Sequence, residues 1–123
     1  MKVIFFNVDN VLNFPESDAE APSGRKGIAE SRVRDLKKIV TESGARLVLI
    51  GDWRKEWDFD DAKCTKDGTY LNKKLDRKGL HILDKIRDDL TDEEGYADWM
   101  RRHPNVTDTC ILKDINNVRW VEW

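Results

Sequence analysis

Apolar residues occur in short runs that alternate between strand-like and helix-like spacing. Val3-Ile4-Phe5-Phe6 is one continuous run and Arg46-Leu-Val-Leu-Ile50 another. Runs of this length suit strands covered on both faces, as in a parallel sheet. Between them Val33, Leu36, Ile39 and Val40 repeat at helical spacing, with Ser31 placed to cap the start and Gly44 to end it. A strand, a crossing helix and a second strand imply parallel pairing. Further on, Tyr70 to Lys78 reads as a helix with Leu71 and Leu75 inward and Gly79 at its end, and Leu80-His-Ile-Leu83 as a short strand. Thr91-Asp-Glu-Glu gives an acidic first turn that complements a helix dipole; Tyr96, Trp99 and Met100 then share one face, and Pro104 closes the helix after Arg101, Arg102 and His103. Thr109-Cys-Ile-Leu112 is the last strand-like run. Phe14 to Gly27 is a long aperiodic loop, a kind that is commonly functional. The expected fold is α/β: a three-layer sandwich around a small, mainly parallel sheet of Rossmann type.

A length of 123 residues without a linker fits one domain over 1–123. Charged residues make up 37% of the chain with signs well mixed, and the net charge of -2 argues against a general polyanion binder. The apolar runs are strand-sized and the N-terminus lacks a secretory core, so no membrane association and a cytoplasmic location are expected. Cys64 and Cys110 have no CxxC spacing, and only His81 and His103 accompany them, which argues against zinc. Cys110 reads as a small core residue and Cys64 as a free thiol in a polar loop. Asp58, Asp60 and Asp61 lack the glycine and glutamate that a calcium loop would need.

The chemistry concentrates where the first strand ends, at Phe6-Asn-Val-Asp-Asn-Val-Leu-Asn13, which places Asn7 and Asp9 on one face. Taken alone, the segment also fits a core strand followed by an Asx-rich turn. It resembles the first motif of the haloacid dehalogenase-like (HAD) superfamily, Asp-x-Asp-Gly-Val-Leu-Asn, whose first aspartate attacks phosphorus. Asn7 stands at that position and Asn10 at the usual glycine. A carboxamide is a poor nucleophile and brings no charge to a metal.

After the second strand, Gly51-Asp-Trp-Arg54 resembles a small HAD branch that includes domains attached to nucleic-acid repair enzymes. There a Ser or Thr followed by Trp-Arg holds a phosphoryl oxygen; Gly51 occupies that position here, leaving a backbone N–H to face an anion. Trp53 and Trp57 suit packing of a short helix against the sheet, with base stacking as the other reading. The resemblance implies a third-motif cation, with Lys85 or Lys78 as candidates. Asp-Trp-Met-Arg-Arg-His-Pro, Asp98 to Pro104, is similar to the branch's helix before the fourth motif, whose usual Asp-Asp is Lys113-Asp114 here.

The resemblance therefore implies a HAD-like domain with little or no cap. Asn7 and Asp9 are its catalytic positions, Gly51, Asp52 and Lys85 its phosphate-binding positions, and Asp9 and Asp114 its metal positions. Because Asn7, Gly51 and Lys113 depart at the residues the chemistry uses, the expectation is a phosphatase-related protein without catalysis and without a required cofactor, Mg2+ being held weakly at most. Lys113 either supplies a counter-charge between Asp9 and Asp114 or points to solvent. A phosphorylated small molecule or a nucleic-acid end is the expected ligand class. The alternatives are a phosphohydrolase using Asp9 as general acid/base, and an interaction module built on the Trp-rich tail, 115–123. In that tail Asn116-Asn117 suits a tight hairpin through positive φ. Val118, Trp120 and Trp123 are then expected to cover the sheet edge within the chain or to meet a protein partner or a second copy.

Overall fold

A computed structural model of the chain describes residues 1–122. Ten residue runs of regular structure follow in the order β1 (Lys2–Phe6), α1 (Glu30–Ser43), β2 (Arg46–Leu49), two 3-10 turns (Asp52–Lys55 and Asp61–Lys63), α2 (Lys66–Asp76), β3 (Ile82–Lys85), α3 (Asp92–Arg102), β4 (Asp108–Leu112) and β5 (Trp120–Glu122). The sheet order is β3-β2-β1-β4-β5. β1 pairs in parallel with both β2 and β4, β2 with β3, and only β5 runs antiparallel, against β4.

The continuous apolar runs are buried on both faces because helices cover both. Ile4, Phe6, Leu47 and Leu49 pack with Val33 and Leu36 of α1 and Leu71 and Leu75 of α2. Val3, Phe5, Val48 and Ile50 face the other way, onto Trp99 of α3. The rings of Trp99 and Phe5 meet edge to face at 5.5 Å, the geometry that aromatic quadrupoles favour. The molecule is thus the expected three-layer α/β sandwich. The chain leaves β1 toward β2 on one side and returns to β4 on the other, so the crevice at the carboxyl ends of β1, β2 and β4 is where such sheets place their ligands.

Several element boundaries differ from expectation. α1 starts at Glu30 after Ala29, with Ser31 inside the helix, while Gly44 does close it, at φ 71 with its N–H on the Val40 carbonyl. α2 begins earlier than Tyr70, at Lys66, because Thr65 accepts from the Gly68 N–H; it ends at Asp76. β3 covers 82–85, two residues later than the expected 80–83. Asn116 and Asn117 do not form a positive-φ hairpin, since Asn10 is the only non-glycine with positive φ among the described residues. A longer connection instead folds Trp120–Glu122 back on β4, and half-buried Trp120 packs against the core below α1. Trp123 lies outside the described residues. Trp53 is fully buried and Trp57 nearly so. Cys110 is buried in the core, and Cys64 is half-buried with its Sγ against the Asp58 backbone. Among the described residues, no helix is long and apolar enough to cross a membrane.

The loop 14–27 is held by polar contacts in place of regular structure. Asp67, buried in the first turn of α2, accepts from the Ser23 N–H (3.0 Å) and hydroxyl (2.6 Å) and pairs with Arg25 at 3.6 Å. The Tyr70 hydroxyl accepts from the Ile28 N–H at 2.9 Å. This anchoring carries the Arg25 guanidinium to 5.2 Å over the Trp53 ring.

Candidate functional site

β1 ends at Phe6, whose carbonyl accepts from Ile50, while the Asn7 N–H reaches the Leu112 carbonyl at 3.0 Å. These main-chain bonds fix the carboxyl ends of three parallel strands side by side. The chain then turns sharply: Leu12 donates to the Val8 carbonyl at 2.8 Å, and Val8, Val11 and Leu12 are buried. Asn10 sits in the left-handed region at φ 66, where a short amide side chain is tolerated in place of glycine. Its N–H donates to the Oδ1 of buried Asn13 at 2.9 Å.

Asn13 also orients Asp9, donating from Nδ2 to Asp9 Oδ1 at 2.9 Å; the Trp53 indole Nε1 donates to the same oxygen at 3.3 Å. Trp53 of the second motif thus serves Asp9 of the first, a link over 44 residues that explains why a tryptophan follows β2. The Arg25 guanidinium stacks on that indole and brings a loop cation beside it.

Gly51 and Asn7 fit each other. Gly51 has φ 78, which L side chains rarely adopt, and a Cβ placed there would overlap the Asn7 carboxamide, with Asn7 Cγ only 2.9 Å away. The amide fills the volume that a Ser or Thr side chain at 51 would require. Asn7 Oδ1 is buried without a hydrogen-bond partner.

The Gly51 N–H, expected to face an anion, donates to the Asp92 carboxylate at 3.3 Å. Asp92 Oδ1 also takes the Arg54 Nη1 at 2.8 Å, and Arg54 Nη2 donates to the Leu90 carbonyl. Arg54 is buried, and its Nε is unpartnered, as is the buried hydroxyl of Tyr96, one helical turn after Asp92. Burial, and next the Asp92 charge, hold that phenol far above its ordinary range. In the sequence Asp92 carries only the signal of an acid that suits a helix dipole, not of a partner for residues 51 and 54. A separation of 41 residues leaves no local signal for it.

The other expected positions face solvent or have partners of their own. Asp52 is exposed. The Lys85 ammonium is tied to the Arg54 and Trp57 carbonyls, each at 2.7 Å, and to Asp88 at 3.1 Å, so it terminates the 3-10 turn after β2. Lys78 lies beyond the end of α2. Asp114 is exposed, and its Oδ1 accepts from the Asn116 N–H at 2.9 Å. Lys113 is exposed and, among the described residues, forms no ion pair with Asp9 or Asp114, which favours the solvent-facing alternative. Trp99 and His103 are structural: the indole donates to Asp84 at 2.8 Å, and the imidazole stacks on it at 3.7 Å with Nδ1 on the Trp99 carbonyl.

A divalent ion fits these donors poorly. Mg2+ wants charged oxygens near octahedral geometry. Here Asn7 is neutral and turned toward Gly51, one Asp9 oxygen already serves two donors, and Asp114 is engaged in its own turn. Among the described residues no group of three or more His, Cys, Asp or Glu is placed to hold a metal. A cavity of about 480 Å3 lies elsewhere, along α2 beside Trp57, Phe59 and His81.

No curated protein and no solved structure matches the chain. A protein-family model for the HAD domain in Swiss Army Knife RNA repair proteins matches residues 3–123, nearly the whole length, and the chain belongs to that family.

Proposed function

We propose that this chain is a HAD domain that does not hydrolyse phosphate esters and that serves RNA repair proteins by binding or by architecture. The observation that carries the reading is the Asn7–Gly51 pair. The position that should supply the attacking carboxylate holds a carboxamide, and the position that should supply the phosphate-binding hydroxyl has become the space into which that amide fits. Two substitutions that accommodate each other support a settled site. A carboxamide cannot form the acyl-phosphate that splits phosphoryl transfer into two easier steps. Lys113 adds a positive charge where the motif carries an acid, and the ligand class remains a phosphorylated group or a nucleic-acid end.

A residual hydrolase is the second reading, favoured by Asp9, whose carboxylate is still oriented by Asn13 and Trp53. Hydrolysis of 4-nitrophenyl phosphate with and without millimolar Mg2+ separates the two. The non-catalytic reading expects the protein and its Asp9→Ala variant to be indistinguishable from buffer. Phosphate release that Asp9→Ala abolishes would establish the hydrolase instead.

A further inference from the structure

We propose that Asp92 is a built-in oxyanion of this site, occupying the place on the Gly51 N–H and the Arg54 guanidinium that an external phosphoryl oxygen would take. The inference rests on the reading of the site as non-hydrolytic and adds what fills the anion position beside Gly51, which a phosphorylated ligand would have to displace. Asp92 is the first residue of α3, yet its carboxylate does not cap its own helix. Thr91 does that: its hydroxyl accepts from the Glu94 N–H, and Glu94 returns the bond to the Thr91 N–H. The Asp92 carboxylate is therefore free to reach across the strand ends, where one oxygen accepts from the Gly51 N–H at 3.3 Å and from Arg54 at 2.8 Å.

A backbone N–H beside a guanidinium, at the carboxyl end of a parallel strand, is a donor set that selects oxyanions. The partners of this carboxylate are those a phosphate would use. The Leu90 carbonyl, in the loop before α3, also accepts from Arg54, so the guanidinium keeps a partner when the carboxylate is removed. The surroundings are rich in unspent polar atoms. Asn7 Oδ1, Arg54 Nε and Tyr96 OH are the buried side-chain atoms without a partner among the described residues, and all three belong to residues of this knot or adjoining it. Of the three, Arg54 Nε and the Tyr96 hydroxyl can donate to an oxyanion, whereas Asn7 Oδ1 can only accept. The Asp92 side chain is 23% exposed against 9% for Arg54, so the plug sits on the solvent side and its removal would open the donors to solution.

The test follows the Gly51 amide by 1H–15N NMR while inorganic phosphate is titrated against chloride at constant ionic strength. In the unaltered protein the resonance should stay still. In Asp92→Ala it should shift saturably, with a rise in thermal midpoint that phosphate produces and chloride does not. Asp92→Asn, which keeps the side-chain shape, decides the matter if the alanine variant does not fold, and should show the same response more weakly. A saturable shift in the unaltered protein would overturn the proposal, because the donors would then be open already. A folded variant that loses stability but ignores phosphate would overturn it as well, leaving a purely structural ion pair. Neither result depends on hydrolysis, so failure here is distinct from finding phosphatase activity.

Discussion

Asn7 and Gly51 are coupled through space, and that coupling has a measurable energy. Restoring the motif's hydroxyl by Gly51→Ser places a Cβ at φ 78 and drives it into the Asn7 amide. Strain at such a backbone position alone costs on the order of 1–3 kcal/mol. Gly51→Ser should therefore lower the free energy of urea unfolding by more than that, and by only about that order in an Asn7→Ala background, where the overlap is removed and the backbone strain stays. Equal losses in both backgrounds would mean that the amide and the glycine are independent. Asn7 and Gly51 were both legible as departures from a motif, because a short strand-end pattern names its own positions. Their mutual fit was not, since the sequence gives no distance between residues 44 apart.

At the scale of elements, α3 carries much of the site's rigidity, as it supplies both Trp99 to the core and Asp92 to the strand ends. Its start was legible from the acidic first turn after Thr91, and the structure adds a capping box between Thr91 and Glu94. Thr91→Ala should cost about 1 kcal/mol of stability by chemical denaturation and should broaden the Gly51 amide by loosening Asp92. The acids of α3 also set a pH dependence. The Thr91 N–H holds Glu94 below the ordinary carboxylate range, and hydrogen bonding to Arg102 does the same for Asp98. Depressed folded-state values mean stability that is fully present above the ordinary range and lost as pH falls through the lowered values. Thermal midpoints should therefore fall on acidification below that range, and Asp98→Asn should flatten the fall. A midpoint that holds or rises there would reverse the sign. The α1 and α2 starts were misplaced for a local reason: Ala29 begins α1 with no side-chain cap, and Thr65 outcompetes the apolar spacing as the marker of α2.

Across the whole molecule, the three-layer arrangement followed from continuous apolar runs that must be covered on both faces, with helical patterns between them to do the covering. Strand order was less accessible, because it depends on long-range pairing, while the return of Trp120 to the sheet edge was one of the two readings of the tail. The resulting architecture brings together, at the carboxyl ends of β1 and β2, a neutral Asn7, an oriented Asp9 and an internal carboxylate on Gly51, with Lys113 exposed after β4. We propose that this arrangement does not transfer phosphoryl groups. The most direct test is a single-turnover incubation, with protein in excess over a 5′- or 3′-phosphorylated RNA oligonucleotide and millimolar Mg2+, in which even one event per molecule would be seen. The oligonucleotide should keep its phosphate over hours, with no difference between the protein and Asp9→Ala; loss of phosphate in proportion to protein, abolished by Asp9→Ala, would contradict the account.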